Sequence, residues 1–334
     1  MDSATLAQWS NTAVYSAMLV YTGALGAFVT DLARLGAARP SAVKTRDATL
    51  VAVPGGGSDA AAVGTASTAD AAVLPDDESA APRRNRVAGI AVSLTWLALV
   101  LHLAAVLARG LSVQRAPWGN MYEFSLTGSM VVTAVFLLVL RRRPDIRFLG
   151  TFIVGPVLLA LGLAISVFYT AAGQLVPALD SYWLIIHVSV AFIATALFTL
   201  GFSTTVLQLI QQRRERVRTS GGTPRGAFMD ALPTARSLER LAYQLYVAAF
   251  PLWGFTLIAG AIWAERSWGR YWNWDPKEIW TFVIWVVYAA YLHARATKGW
   301  DGRTPAYLAV AGYVCLMMNF TVINYFAQGL HSYA

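Results

Sequence analysis

The sequence predicts an all-α, polytopic membrane protein with about eight transmembrane helices and both termini on the outer, non-cytoplasmic side. Of the 334 residues, 57% are hydrophobic and only 13% are charged, whereas soluble domains contain about a quarter charged residues. The apolar residues lie in blocks of roughly 20, the length that a helix needs to cross the hydrocarbon layer. Because lipid offers the backbone no hydrogen bonds, such blocks must be helical in order to span it.

Eight apolar blocks are long enough to be transmembrane spans. They lie near residues 11–33, 87–108, 122–140, 148–168, 184–210, 241–264, 278–296 and 305–327. The fifth and sixth are long enough to tilt or to extend into water. The first block follows an acidic and polar start, so we expect it to be retained as a helix instead of being cleaved as a signal peptide.

The basic residues between the spans predict the orientation of the chain. The segments 34–86, 141–147, 211–240 and 295–304 contain 21 of the 26 Lys and Arg residues, and the positive-inside rule places them in the cytoplasm. The other five basic residues then lie outside: Arg109, Arg115, Arg266, Arg270 and Lys277. Since the net charge of +8 is confined to loops between spans, it does not indicate nucleic-acid binding.

The chain divides into three parts. Residues 1–34 form an N-terminal transmembrane helix, and residues 87–334 form the membrane domain that we expect to carry the function. Between them, residues 35–86 form a cytoplasmic linker rich in Ala, Gly, Ser, Pro and Asp. We expect this linker to be disordered, because it lacks aromatic residues and helical periodicity.

The outer loop between the sixth and seventh spans, residues 265–277, is unusually aromatic. With the start of the seventh span it reads "ERSWGRYWNWDPKEIW", in which five aromatic residues fall within 13 positions: Trp268, Tyr271, Trp272, Trp274 and Trp280. Such a cluster is typical of an interfacial aromatic belt. It is equally typical of a flat surface that shields one side of a planar conjugated ligand, and the sequence leaves both interpretations open.

Polar residues of the same loop have structural explanations beside the functional ones. Asp275 precedes Pro276, and Glu278 follows three positions after Asp275, which is the pattern of a helix N-cap with a capping box. We therefore expect Asp275 to begin the seventh helix. A ligand with carboxylates, such as the haem propionates, would account for the basic residues Arg266, Arg270 and Lys277, and so would snorkelling at helix ends.

The four histidines differ in their positions along the spans. His187 opens the fifth span at its outer end, and His331 lies near the C-terminus on the same side. Two imidazoles approaching from opposite sides would give a six-coordinate haem iron. His293 lies toward the cytoplasmic end of the seventh span, where an ionisable side chain is costly and is therefore a candidate for function. Each can also be a neutral histidine with a satisfied hydrogen bond, which is the favoured interpretation for His102.

The pattern Trp268-Gly-x-x-Trp272-x-Trp274-Asp275-Pro276 resembles the WWD signature of a family of haem-handling membrane proteins. Four further segments occur in the same order as in the CcsA/ResC-type subunit of the cytochrome c synthase in that family: "APWGNMYEFSL" (116–126), "SYWLIIHV" (181–188), "YLHAR" (291–295) and "GLHSYA" (329–334). The resemblance covers about residues 87–334. The long linker 35–86 departs from the shorter members of the family.

The resemblance implies a role for each histidine. His187 and His331 are implied to be axial ligands of haem b at an outer site, and His293 a transmembrane histidine that receives haem from the cytoplasmic side. The loop residues implied to surround the haem are Trp268, Tyr271, Trp272, Trp274, Asp275 and Arg270.

The resemblance also implies partners in the plasma membrane. A ResB/Ccs1-type subunit would complete the complex, which joins the haem vinyl groups to the CxxCH thiols of apocytochrome c. The sequence suggests no catalytic nucleophile or general base. Because Cys315 is the single cysteine, the chain cannot perform dithiol chemistry alone, and we expect a separate thiol reductase.

Three alternative functions remain compatible with parts of the sequence. A haem-delivery protein without attachment activity would share the tryptophan-rich site. A membrane electron-transfer cytochrome would place paired histidines within the membrane, whereas two of the four histidines here lie outside it. A small-molecule transporter is the third, although the chain shows no convincing half-length repeat.

Overall fold

The computed structural model describes residues 2–37, 86–173, 181–297 and 302–331. Within them the chain forms nine α-helices: α1 (Ser3–Ala37), α2 (Arg86–Val113), α3 (Met121–Arg142), α4 (Gly150–Ser166), α5 (Tyr182–Thr219), α6 (Ala235–Trp268), α7 (Pro276–Ala296), α8 (Arg303–Phe320) and α9 (Val322–Phe326). Short 3-10 helices, Pro144–Leu149 and Ala227–Ala231, precede α4 and α6. Apart from its two helical ends, the predicted linker 35–86 lies outside the described residues.

The predicted number of spans is confirmed. In the described part of the chain, eight helical segments are long and apolar enough to cross a membrane, so this is a multi-pass membrane protein. Helices α5 and α6 contain 38 and 34 residues. At 1.5 Å per residue they are about 57 and 51 Å long, against about 30 Å of hydrocarbon. Both are therefore long enough to tilt or to extend into water, as the sequence predicted.

The helices pack in two groups. One group contains α1–α4, with a buried core that includes Tyr21 and Phe136. The other contains α5–α8, where the rings of Phe198 and Tyr288 stack at 3.9 Å with an interplanar angle of 14°. Helix α3 packs against α5 and joins the groups. The seam between them contains the candidate site.

The basic segments that the sequence assigned to one side lie together at one end of the bundle. Arg295 pairs with Glu239 at 2.6 Å, Arg143 donates to Gln244 at 3.2 Å, and Arg147 lies 3.7 Å from Asp31. We call this the arginine end. The loop 269–275 lies at the opposite end, which we call the tryptophan end. The predicted alternation of loops is therefore present in the fold, while the side of the membrane that each end faces stays a prediction.

The span predicted over 305–327 is divided at Thr321, where the backbone has φ −98° and ψ −73°. The Lys277 ammonium donates to the Asn319 carbonyl oxygen at 3.0 Å and to Oδ1 of Asn324 at 2.6 Å. These bonds engage a helix carbonyl beside the break. Beyond α9 the chain continues as a non-helical segment, residues 327–331, which we call the C-terminal arm.

Candidate functional site

A cavity of about 350 Å³ lies in the seam near the tryptophan end. Helices α3 and α4 line one side of it, and helices α5–α8 line the other. Most of the exposed area of its wall is apolar, and its polar residues include His187, His331, Lys277, Glu278 and Asn319 beside several serines and threonines. An apolar wall with a small number of placed polar groups is typical of a ligand or cofactor site.

His187 enters this cavity from α5 in a fixed orientation. Its Nδ1 lies 2.9 Å from the carbonyl oxygen of Thr256 on α6. Because a carbonyl can only accept, Nδ1 must carry the proton, and Nε2 is left with a free lone pair. A Cβ on Gly260 would lie 2.7 Å from Cε1 of His187, so only glycine permits this approach of α6.

His331 reaches the cavity from the C-terminal arm. Its Nδ1 lies 2.9 Å from Oδ1 of Asp275, and the backbone N–H of Leu330 donates to Oδ2 of the same carboxylate at 2.7 Å. The carboxylate accepts a hydrogen bond from the Nδ1–H group, which again leaves Nε2 as the free nitrogen. Both candidate ligands are therefore held through Nδ1, as metal-binding histidines generally are.

Trp263 contacts both histidines. Its ring is nearly parallel to the His187 ring, with centroids 6.1 Å apart and an interplanar angle of 20°. The His331 ring meets it edge-on at 5.4 Å, and meets Trp268 edge-on at 4.8 Å. The two imidazoles are thus brought to one aromatic cluster from different elements, although 144 positions separate them in the sequence.

Asp275 has two structural functions. As the sequence predicted, it is the N-cap of α7 and forms a capping box with Glu278. Burial acts to raise the pKa of Asp275, but the hydrogen bond and charge of His331 and the N–H groups of Lys277 and Leu330 outweigh it and lower the pKa to about 2. The carboxylate is therefore ionised at neutral pH. Its bond to His331 was not foreseen.

Glu278 organises the loop that precedes α7. It accepts from the backbone N–H of Asn273 at 2.8 Å and of Asp275 at 3.2 Å, and from Nη1 of Arg270 at 2.9 Å. Gly269, with φ +69°, ends α6 in the left-handed conformation that glycine adopts without strain. Trp274 also has a positive φ of 57°, which is rare for a bulky residue.

The aromatic residues of the loop divide between the cavity and the surface. Tyr271 and Trp272 line the cavity, and Trp268 packs on His331. Trp274 is 69% exposed and meets Trp272 edge-on at 5.7 Å. Trp268 therefore lies against His331, and Tyr271 and Trp272 line the cavity that both histidines line. A direct ligand contact of Trp274 stays a prediction.

The other two histidines lie outside this cavity. His293 is exposed near the arginine end of α7, so the fold does not join it to His187 and His331. His102 is fully buried. Its Nε2 lies 3.0 Å from the carbonyl oxygen of Leu126 and its Nδ1 lies 3.4 Å from the Tyr21 hydroxyl, which agrees with the interpretation of His102 as a core histidine with satisfied hydrogen bonds.

Basic residues at the tryptophan end are mostly engaged within the protein. Arg109 and Arg115 pair with Glu123, and Arg266 lies over the rings of Tyr182 and Trp183. Arg270 pairs with Glu278, but its Nη2 is buried without a hydrogen-bond partner among the described residues. The sequence left open whether these basic residues bind a ligand carboxylate or snorkel at helix ends. For Arg270, the unpartnered Nη2 is a donor suited to a ligand carboxylate.

Sequence reasoning missed Thr256, Gly260 and Trp263. They have the spacing i, i+4 and i+7, which places them on one face of α6, and that spacing was visible in the sequence. Nothing in the sequence showed that this face meets His187. The Thr256 contact uses a backbone carbonyl, which no residue pattern reports.

Comparison with known proteins gives concordant matches. The sequence pattern of the cytochrome C assembly protein family matches residues 118–331. The cytochrome c biogenesis protein CcsA of Guillardia theta is 35% identical over 233 residues, which cover 65% of this chain and 76% of that protein. CcsA of Gloeobacter violaceus is 33% identical over 287 residues, which cover 71% and 84%.

A solved structure has the same fold. The cytochrome c haem lyase CcmF superposes with a TM-score of 0.59 at 15% sequence identity. The match covers 96% of this chain and 47% of that chain.

Proposed function

This chain belongs to the cytochrome c assembly protein family, and from that premise we propose that it acts in cytochrome c maturation by holding haem b between His187 and His331. The aromatic residues Trp263, Trp268 and Trp272 would then lie around the macrocycle. The haem is the substrate that is passed on, and the chain's role is to bind and orient it.

One observation carries this proposal. His187 and His331 line the same cavity, and each uses Nδ1 for a hydrogen bond to an oxygen acceptor. Each therefore has Nε2 available for a metal ion, and histidine is a common axial ligand of haem iron. The apolar remainder of the wall suits a porphyrin, and the buried Nη2 of Arg270 suits a propionate.

The chemistry that follows would depend on position more than on catalytic groups. In thioether formation a cysteine S–H adds across a vinyl C=C bond, so that one carbon gains sulfur and the other gains the proton. The addition needs reduced haem and reduced thiols, hence the separate thiol reductase. A haem fixed by two imidazoles and an aromatic wall would present its vinyl edge in one orientation to the CxxCH of apocytochrome c, which lowers the barrier mainly through proximity.

The partner subunit and the orientation belong to the same proposal. The bias of basic residues favours the tryptophan end on the outer face of the plasma membrane. His293 lies on an exposed stripe of α7 that also includes Ile279, Phe282 and Val286. An imidazole facing lipid is costly, so a helix of a ResB/Ccs1-type subunit that covers this stripe and offers a second histidine would account for it.

The test is the absorption spectrum of the purified protein after haem is added, with its membrane partner present. We expect the sharp split bands of reduced low-spin haem. In a His293→Ala background, which removes any haem held between His293 and the partner, the bands should be weakened in His187→Ala and His331→Ala and absent when both are replaced. His293→Ala alone is the reference, because His293 lies outside the cavity and this variant should keep the bands that depend on His187 and His331. Normal bands when both are replaced would contradict the site.

Two further outcomes separate the alternative functions. Haem binding without holocytochrome formation, with partner and reduced apocytochrome c present, would favour a haem-delivery protein. A protein that stays colourless in the presence of haem and partner would favour a small-molecule transporter.

A further inference from the structure

The two candidate ligands are held in different ways. Resting on the proposed function, we propose that His187 is the permanent axial ligand and that His331 is the exchangeable one, which Asp275 holds in place until the histidine of CxxCH replaces it. In this view Asp275 is a positioning residue that acts through His331.

The packing around His187 leaves its imidazole no room to withdraw from an iron atom. His187 lies on α5, which packs along α6. On α6, Thr256 holds Nδ1 at 2.9 Å, Gly260 leaves no space beside the ring, and Trp263 covers a face of it. For the imidazole to leave an iron atom by more than a fraction of an ångström, two long packed helices would have to separate.

His331 lies on the C-terminal arm, whose described residues 327–331 are not helical, in contrast to α5, which carries His187. Phe326, the last residue of α9 before the arm, is 83% exposed, and Leu330 in the arm is 43% exposed. The arm therefore lies at the surface of the bundle, on the side from which a water-soluble peptide would approach. A short movement of the arm is enough to withdraw the imidazole.

Asp275 is the connection between the arm and the rest of the site. Its two carboxylate oxygens accept from the His331 ring and from the Leu330 backbone. The residue itself is anchored at the start of α7 by its capping box with Glu278. One ionised side chain thus fixes both the backbone and the ring of the arm.

The same bond affects the strength of the ligand. A carboxylate that accepts a hydrogen bond from the Nδ1–H group makes Nε2 a stronger electron-pair donor to a metal. While the arm is held, His331 would bind the iron well, and when the bond to Asp275 is lost its donor strength falls. In the exchange, the bond from iron to Nε2 of His331 breaks as a bond to the incoming imidazole forms, and no electron is transferred.

The experiment is the rate at which carbon monoxide binds to the reduced, haem-loaded complex, because carbon monoxide must displace one axial imidazole. Asp275→Asn is the informative variant. An amide has one acceptor oxygen in place of two, so it can cap α7 but cannot also hold both groups of the arm. We expect binding at least about tenfold faster at equal haem content, in line with the 10- to 100-fold effects of outer-shell metal partners. Asp145→Asn at the arginine end is the matched control and should leave the rate unchanged.

A second pair of variants tests the assignment independently. His331→Gly should keep most of its haem as a five-coordinate species held by His187, whereas His187→Gly should keep little of it. The reverse pattern, or an unchanged carbon monoxide rate in a fully haem-loaded Asp275→Asn protein, would overturn the inference and leave the haem site intact. If Asp275→Asn loses its haem altogether, the comparison of His331→Gly with His187→Gly decides which histidine is the permanent ligand. Absence of haem from the unsubstituted complex would instead contradict the proposed function.

Discussion

At the scale of single residues, the position of His187 depends on the lack of a side chain at its neighbour Gly260. A methyl group there would lie 2.7 Å from Cε1 and 2.9 Å from Nδ1 of the imidazole, well inside the distance that such atoms tolerate. The hydrogen bond from Nδ1 to the Thr256 carbonyl depends on the same close approach of α5 and α6. The glycine therefore serves the site, because in the middle of a helix it is otherwise unfavourable by about 1 kcal/mol relative to alanine.

We accordingly expect Gly260→Ala to reduce the haem content of the purified complex severely, because the imidazole must move from its position. Gly254→Ala on the same helix is the control. Its Cβ would lie 3.4 Å from Nε1 of Trp285, close to ordinary contact, and alanine favours the helix. Haem content should be normal in Gly254→Ala. Pyridine extraction measures both, and equal haem content in the two variants would refute the role of Gly260.

At the scale of elements, the turn between α2 and α3 is built around the buried carboxylate of Glu123. It accepts from Nε of Arg109 at 2.9 Å, from Nη1 of Arg115 at 2.7 Å and from the backbone N–H of Gly119 at 3.0 Å. Asn120 caps α3 by accepting from the Glu123 N–H at 2.9 Å. These bonds fix the start of α3, whose next turns line the cavity through Phe124, Ser125 and Gly128.

Glu123→Gln should therefore destabilise the folded protein strongly. Arg109 and Glu123 are both fully buried, at 0% exposure, and breaking a buried pair costs about 3–5 kcal/mol because the remaining charge is left uncompensated. Unfolding by sodium dodecyl sulfate in mixed micelles measures the loss. The exposed pair of Arg143 and Asp145 provides the control, since Asp145→Asn should cost no more than about 1 kcal/mol. Similar losses in both variants would argue against Glu123 as the centre of the turn.

At the scale of the whole molecule, the two ends of the bundle differ in how their charges are used. At the arginine end several basic side chains are exposed, including Arg141, Arg142 and Arg143. At the tryptophan end the basic side chains pair with acidic groups, hydrogen-bond within the protein or lie over aromatic rings. Free positive charge is retained on the cytoplasmic side of membrane proteins, which predicts an outward-facing tryptophan end.

Cysteine labelling tests this orientation. In a Cys315→Ala background, Asn273→Cys lies in the loop 269–275 at the tryptophan end and Ser220→Cys lies at the arginine end, and both positions are exposed. A membrane-impermeant maleimide should label Asn273→Cys in intact cells and Ser220→Cys only after permeabilisation. The opposite pattern would reverse the topology and with it the outer location of the site.

Much of the fold was predictable from the sequence because lipid permits so few solutions. Eight apolar blocks had to become helices, and the start of α7 followed from the order Asp275, Pro276, Glu278. The division of the last span at Thr321 was not predicted. It accompanies the bonds of Lys277 to Asn319 and Asn324, groups more than 40 positions away that no local pattern connects to the lysine.

By itself the sequence determined which residue types meet at the tryptophan end, because the number of spans fixes the end of the bundle at which each loop lies. On that basis His187, His331 and the aromatic loop could be assigned to one site. Only the tertiary structure decided how they are held: His187 by the Thr256 carbonyl and His331 by Asp275. The physical reason is that hydrogen bonds and close packing depend on where two helix faces cross and on where the non-helical arm meets the bundle. Neither feature produces a periodic pattern in the sequence.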